Sequence, residues 1–137
     1  DNRAIAQAYA NARGVPQFTH AFRRPPGAVT SRFGEWRTFN DQHRAQHVGL
    51  DVAAHEGARV AAINDGTVAL VRDTFLSGTV VVVAHGGGIS SLYFHLSKPT
   101  VRDRGGARGT VTVMEASRGS ASSSSAWHVE HWLRLGR

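Results

Sequence analysis

The sequence predicts a mainly β domain with antiparallel strands, of the sandwich or barrel type, preceded by a short helical segment. Short runs rich in β-branched residues follow one another from Val29 to Leu135. Clusters of Gly, Asn, Asp and Ser separate these runs. Many short strands divided by turn residues are typical of antiparallel sandwiches and barrels.

The N-terminal residues follow a different pattern. Residues 1–13 are rich in alanine, and Ile5 and Tyr9 lie at the spacing of one helix face. Three of the four prolines follow before residue 27 and interrupt a regular backbone. We therefore predict a helical and linker segment over residues 1–26 and the main domain over residues 27–137.

The strands of the main domain are predicted from their short β-like runs. They are Val29–Phe33, Val48–Ala53, Arg59–Ile63, Thr67–Val71, Thr79–His85, Ile89–His95, Thr110–Met114 and His128–Leu135. Turn signals lie between several of them, such as Asn64-Asp65-Gly66 and Gly86-Gly87-Gly88. The serine-rich stretch Ser117–Ser125 is predicted to be a loop.

Composition limits the kind of site and partner. The 137 residues are 41% hydrophobic and 19% charged, which predicts one soluble globular domain without a transmembrane segment. Cysteine is absent, so any metal must bind histidine and carboxylate ligands. The net charge of +6 favours polyanions, including anionic cell-wall polymer. Because the arginines are scattered, we do not expect specific nucleic-acid binding.

The segment His47-Val48-Gly49-Leu50-Asp51 is the first candidate site. A fully extended strand would place its histidine and aspartate about 13 Å apart at Cα. Two ligands of one ion must lie much closer, so a shared metal requires a bend, which Gly49 is the residue most able to supply. Without that bend the two side chains would simply face solvent from a strand.

Two later segments add histidines. In Ser91–Leu96, alternation predicts that Tyr93 and His95 share one strand face, opposite Leu92, Phe94 and Leu96. The segment His128-Val129-Glu130-His131-Trp132 crowds two imidazoles and a carboxylate into one short strand. Each segment alone also fits exposed or structural polar residues, so the order of the three segments carries the functional inference.

This order resembles the lysostaphin-type (LytM-like) zinc endopeptidase family, in which H-x-G-x-D, Y-x-H-L and H-x-H follow one another in a glycine-rich β domain. The resemblance runs from Gly27 to about Val101. It also includes an entry strand, a D-G-x-V turn and a central hairpin, which match Val29–Gly34, Asp65–Val68 and Val80–Leu96. The fold it implies is an antiparallel β sandwich/barrel hybrid.

The resemblance implies a Zn²⁺ ion held by His47 and Asp51, with His95 and His128 as catalytic histidines. The third ligand falls where the family's H-x-H pattern changes. Without a gap, the ligand is Glu130; with a strand bulge, it is His131, which we prefer because a neutral imidazole preserves the family's ligand set. A site degenerate at this position, binding metal poorly, is the remaining outcome. The other histidines are interpreted as loop residues (His20, His43 and His55) or as structural (His85).

The function implied is a zinc-dependent endopeptidase that hydrolyses peptide cross-links of bacterial peptidoglycan. The alternative is a catalytically degenerate domain of the same fold that binds cell wall or activates another hydrolase. Both imply peptidoglycan as the partner and an extracytoplasmic location, although no signal peptide begins this chain.

Overall fold

An antiparallel sheet of six strands is the main element of the protein. The structure is a computed structural model that describes residues 2–55, 58–74, 78–96, 112–113 and 126–132. Helix α1 is Asn2–Ala10, and a 3-10 turn, Asn11–Arg13, follows it. The strands are β1 Val29–Ser31, β2 Trp36–Phe39, β3 His43–Gln46, β4 Leu50–Ala53, β5 Val60–Ala61, β6 Thr67–Thr74, β7 Gly78–Gly86, β8 Ile89–Leu96, β9 Thr112–Val113 and β10 Ala126–Trp132. The main sheet has the order β1-β4-β10-β8-β7-β6, and β2–β3 and β5–β9 form separate two-stranded sheets.

Strand β7 forms the centre of the core because its valines are buried on both faces of the sheet. Val81 and Val83 belong to one cluster of buried residues, and Val80 and Val82 belong to another. The larger cluster is completed by Val52, Val60, Ile63, Val68, Tyr93 and Leu96. A strand buried on both faces is expected to be continuously apolar, as Val80–Ala84 is.

Helix α1 covers the face of the main sheet that carries Val80 and Val82. Its Ala8 packs with Val80, Val82 and Leu92. The chain then passes close to the β7–β8 turn, where Gly86 has a φ of 77° and a Cβ would collide with the carbonyl of Val15. Only glycine fits both conditions there. Among the described residues, no helix has the length and apolarity needed to cross a membrane.

The predicted fold class is confirmed: the described chain is mainly antiparallel strand with one short N-terminal helix. The sequence interpretation missed the hairpin formed by β2 and β3. Its turn contains Asn40 and Asp41 with φ values of 50° and 55°, a conformation that these two residue types tolerate better than most. The loop predicted at Ser117–Ser125 lies outside the described residues, and the boundary after residue 26 stays a prediction.

Strand β8 contains a bulge at its C-terminal end. Tyr93 pairs with Val81, whereas Leu96 pairs with Thr79, so one residue of β7 opposes two residues of β8. His95 lies in this irregularity with a φ of 59°, which is uncommon for a residue that has a side chain. An extra residue of this kind re-aims the side chains that follow it.

The bulge corrects the predicted alternation of this strand. Leu92 and Phe94 pack together as expected, but Leu96 packs with Tyr93 in the opposite cluster. Strict alternation of two residues is therefore wrong between Tyr93 and Leu96. His95 is half-buried at the point where the alternation changes.

Candidate functional site

The site begins at the bend between β3 and β4. The chain bends at Gly49, as the spacing of the motif requires. His47 precedes the bend and Asp51 follows it in β4, and their Nε2 and Oδ1 atoms lie 3.1 Å apart. The side chains are 2% and 12% exposed, so an imidazole and a carboxylate meet in a nearly buried position.

The hydrogen bonds of His47 define its tautomer. Its Nδ1 lies 2.9 Å from the carbonyl oxygen of Arg32, which can only accept a hydrogen bond. Nδ1 therefore carries the hydrogen, and in the neutral ring Nε2 presents its lone pair toward Asp51. This arrangement, with one ring nitrogen donating to a carbonyl, is the usual one for histidine ligands of metals.

Ser31 and Glu35 stabilise the His47 ring on its Nδ1 side. Ser31 Oγ lies 3.2 Å from His47 Nδ1 and donates to Glu35 Oε2 at 2.6 Å. The Arg32 amide also donates to that carboxylate, at 3.1 Å. The hydrogen bond from Ser31, followed by that from Arg32, lowers the pKa of Glu35 below its ordinary value. The carboxylate thus stays ionised and keeps the Ser31 hydroxyl oriented.

Arg37 contacts the other ligand candidate. It lies in β2, and its Nη2 is 2.5 Å from Asp51 Oδ2. The two oxygens of the carboxylate therefore have different partners: Oδ2 accepts from Arg37, and Oδ1 faces His47. A charge-assisted bond of this length fixes the rotation of the carboxylate.

Strand β10 lies between β4 and β8, beside this pair. The backbone of His128 is opposite Asp51 on β4 and opposite Phe94 on β8. The following residues of β10 continue the pairing with β8 without a shift in register. Glu130 pairs with Leu92, and His131 pairs with Ser91. The register over these positions is continuous, and the assignment of a third ligand among them stays a prediction.

His95 lies one residue beyond Phe94, the β8 residue that pairs with His128. Neighbouring strands are about 4.8 Å apart, so two strand spacings put the β8 backbone roughly 10 Å from that of β4. The fold thus brings the backbones of Asp51, His128 and His95 to one region of adjacent strands. These three positions come from distant parts of the sequence.

The described residues fit two of the ligands of a zinc ion. Ligand atoms of one tetrahedral zinc, bonded at about 2.0–2.1 Å, lie roughly 3.3 Å from each other. The 3.1 Å separation of Nε2 and Oδ1 is close to that value. Within the described side chains no group of three or more metal-binding residues is assembled, and the assignment of His47 and Asp51 as ligands stays a prediction.

His85 forms a second buried polar site, which is structural as the sequence predicted. Its Nδ1 lies 2.6 Å from the Asp65 carbonyl, and its Nε2 lies 2.8 Å from Ser91 Oγ. Ser91 Oγ is also 2.9 Å from Tyr93 Oη, which accepts from the Ile63 amide. Burial raises the pKa of Tyr93 to about 12, so its hydroxyl stays protonated inside the core.

Three further histidines, His20, His43 and His55, were assigned to loops from the sequence. His20 and His55 lie outside strands, in agreement with their assignment to loops. His43 begins β3, so its assignment to a loop was wrong.

The sequence interpretation missed the side chains around His47 and Asp51. Ser31 contacts His47, Glu35 contacts Ser31, and Arg37 contacts Asp51. Glu35 and Arg37 flank Trp36 at the start of the missed hairpin. The pair Asn40-Asp41 favours a turn and lies between the short segments Trp36–Phe39 and His43–Gln46. This turn signal could have located the hairpin. No local pattern indicates which of its polar residues meets Asp51.

Comparison with known proteins agrees with this fold. A Pseudomonas aeruginosa protein assigned to peptidase M23 is 26% identical with a TM-score of 0.60, and the match covers 95% of this chain and 54% of that one. A zinc-containing peptidase from Vibrio cholerae is 25% identical with a TM-score of 0.65, covering 87% of this chain and 37% of that one. This chain therefore spans about half, or less, of the length of these two proteins.

The catalytic domain of the antimicrobial peptidase lysostaphin from Staphylococcus simulans has the same fold. It is 20% identical with a TM-score of 0.61, and the match covers 75% of this chain and 77% of that domain. The model of Peptidase family M23 matches residues 45–130, which include the bend, the bulged strand and most of the His128–His131 segment. Because this match covers more than half of the chain, the protein belongs to Peptidase family M23.

Proposed function

We propose that this protein is a zinc-dependent endopeptidase that hydrolyses peptide cross-links of bacterial peptidoglycan. The observation that carries the proposal is the pair of His47 Nε2 and Asp51 Oδ1, 3.1 Å apart and nearly buried. In the neutral ring, with Nδ1 donating to a backbone carbonyl, both facing atoms of the pair are acceptors. Two acceptors at this separation favour a cation between them.

Imidazole nitrogen and carboxylate oxygen together are ligands that suit zinc. Held by three protein groups, zinc would polarise a carbonyl and lower the pKa of a bound water. His47 and Asp51 are the two ligands we assign from the described side chains. Membership of a peptidase family, and likeness to a zinc-containing peptidase, support this choice of metal.

We assign His95 and His128 to proton transfer. An imidazole can take up or release a proton near neutral pH, which suits a general base for water and an acid for the leaving amine. The strained backbone of His95, with its φ of 59°, supports a functional role because such conformations cluster at active sites. The backbone of His128 lies directly opposite Asp51, which supports a role beside the metal.

The third ligand is proposed from strand β10, as His131 or as Glu130. A neutral imidazole at His131 keeps the net charge of the ligand set low and preserves the acidity of the metal. The continuous register from His128 to Trp132 supports Glu130, because residues two apart in a regular strand share a face. His131 requires an irregularity that this ladder does not contain over those residues.

Paired variants separate these ligands. Loss of stoichiometric zinc in His131→Ala, with zinc retained in Glu130→Ala, assigns His131, and the reverse result assigns Glu130. Retention in both variants removes the third ligand from this segment and favours the degenerate domain. Metal content is measured on the purified chain after dialysis, so that loosely held ions are removed.

The substrate and location are proposed from membership of the family. We propose peptidoglycan peptides as substrate and an extracytoplasmic site of action. The net charge of +6 supports attraction to anionic cell-wall polymer, which would raise the local concentration of enzyme near its substrate.

The decisive experiment combines metal content with hydrolysis of purified peptidoglycan. We expect one zinc per chain and release of new amino groups from the cell wall. His95→Ala is expected to keep its zinc but to lose turnover by roughly a hundredfold or more, because it removes an acid–base group. One bound zinc without hydrolysis would contradict the endopeptidase, and binding of peptidoglycan without zinc would establish the degenerate alternative.

A further inference from the structure

The contact between Arg37 and Asp51 raises a question of charge. A guanidinium next to a metal ligand repels the metal, so a cation site built only for attraction would not contain one. Yet Arg37 Nη2 lies 2.5 Å from Asp51 Oδ2, and the Asp51 side chain is only 12% exposed. Arg37 must therefore contribute something that offsets this repulsion.

Geometry suggests what that contribution is. Arg37 bonds Oδ2, while Oδ1 is the atom that faces His47 Nε2. A guanidinium that holds one carboxylate oxygen opposes the rotation that would place both oxygens on one ion. It then presents a single oxygen, as a four-coordinate zinc site with an open position requires.

We propose that Arg37 is a positioning residue that fixes Asp51 as a one-oxygen metal ligand. This inference rests on the proposed metal site. Arg37 acts from β2, a strand of the separate hairpin, whereas Asp51 lies in the main sheet. The hairpin thus has a structural reason to dock beside β4: its guanidinium orients the ligand and compensates the charge of a buried carboxylate.

The sign of the effect on metal affinity tests the proposal. If Arg37 acted only through its charge, Arg37→Gln would bind a dication more tightly, because a nearby positive charge is removed. If Arg37 positions Asp51, the same variant binds more weakly, by about tenfold to a hundredfold as for other outer-shell partners of metal ligands. The two roles therefore predict opposite changes.

Cobalt(II) supplies a second readout that does not depend on catalysis. Four-coordinate cobalt absorbs visible light more strongly than five- or six-coordinate cobalt, because tetrahedral geometry allows the most mixing of d and p orbitals. Once Arg37 no longer holds Oδ2, Asp51 can supply both oxygens and raise the coordination number. We therefore expect a weaker visible band per bound cobalt in Arg37→Gln, which a merely structural role would not produce.

Arg44→Gln is the matched control. It removes the same charge from the neighbouring strand of the same hairpin, where Arg44 lies over the Trp36 ring at 5.1 Å. Its cobalt affinity and spectrum should equal those of the wild type. Arg37→Lys retains a charged donor for Oδ2, which guards against failure to fold, and should bind cobalt with an affinity between those of Arg37→Gln and the wild type.

The outcomes are distinguishable. Weaker binding and a weaker band in Arg37→Gln, with normal behaviour of Arg44→Gln, support the positioning role. Tighter binding, or affinity and spectrum equal to the wild type, overturns it and leaves the proposed function intact. A wild-type chain that binds neither zinc nor cobalt overturns the proposed function, and the inference that rests on it, at once.

Discussion

Two buried histidines of this protein have the same kind of partner at Nδ1 and different partners at Nε2. His47 and His85 each place Nδ1 against a backbone carbonyl, at 2.9 and 2.6 Å, which assigns the same tautomer to both rings. At Nε2 they diverge. His85 meets the hydroxyl of Ser91 at 2.8 Å, whereas His47 meets a carboxylate oxygen of Asp51 at 3.1 Å.

The partner of Nε2 decides what each histidine can do. A serine hydroxyl can either donate or accept, so His85 can close a hydrogen-bond network that contains only protein groups. An ionised carboxylate can only accept, so the neutral His47 ring and Asp51 present two acceptors to each other. The first arrangement stabilises the core, and the second favours a metal ion. Burial alone does not separate the two histidines, because His85 is 0% exposed and His47 is 5% exposed.

The largest expected effect comes from making His47 resemble His85. Asp51→Asn keeps the shape of the side chain but supplies an amide donor toward Nε2. We expect loss of stoichiometric zinc, because one ligand is replaced by a group that closes the pair without metal. Metal analysis after dialysis measures this, and a folded variant that still held one zinc per chain would remove Asp51 from the ligand set.

The next prediction removes the imidazole of His85. His85→Ala leaves a cavity and removes a partner from Ser91 and from the Asp65 carbonyl, so we expect the free energy of unfolding to fall by about 3 kcal/mol. Zinc stoichiometry of the folded fraction should not change. Urea denaturation gives the stability, and loss of zinc from the folded variant would show that the two histidine sites are coupled.

A smaller effect is expected behind the His47 ring. Ser31→Ala removes the hydroxyl that lies between Nδ1 and Glu35, while the Arg32 carbonyl remains. Zinc affinity should fall about tenfold, as expected for loss of an outer-shell partner. Ser90→Ala is the control, since this buried hydroxyl has no hydrogen-bond partner within the described part of the chain. Equal zinc affinities in the two variants would show that Ser31 does not orient His47.

The smallest effect separates strain from catalysis at His95. His95→Gly and His95→Ala both remove the imidazole, but glycine adopts a φ near 59° without steric cost. We expect the glycine variant to be more stable than the alanine variant by about 1 kcal/mol, at equally low turnover. Thermal or urea unfolding measures this difference. A glycine variant less stable than the alanine variant would show that the backbone of His95 is not strained.

Local sequence patterns identified His47 and Asp51 as side chains that meet, and they identified most of the main sheet. The His47–Asp51 spacing required a bend at Gly49, and the bend is present. The alternation rule failed at Leu96, because a bulge depends on how β8 pairs with β7 and not on the residues of β8 alone. The β2–β3 hairpin was missed because each strand has only four residues and β3 is exposed along its length, so no apolar period marked the two strands.

By itself, the sequence determined the fold class and the types of metal ligand available. The run of valines in β7 can be satisfied only by burial on both faces, and a chain without cysteine can offer zinc only nitrogen and oxygen. The tertiary structure decided which polar groups hold the ligands. Ser31 reaches His47 across 16 positions and Arg37 reaches Asp51 across 14, because strand register and hairpin docking bring them together. Such contacts are set by the packing of whole strands, which no periodicity within a single segment encodes.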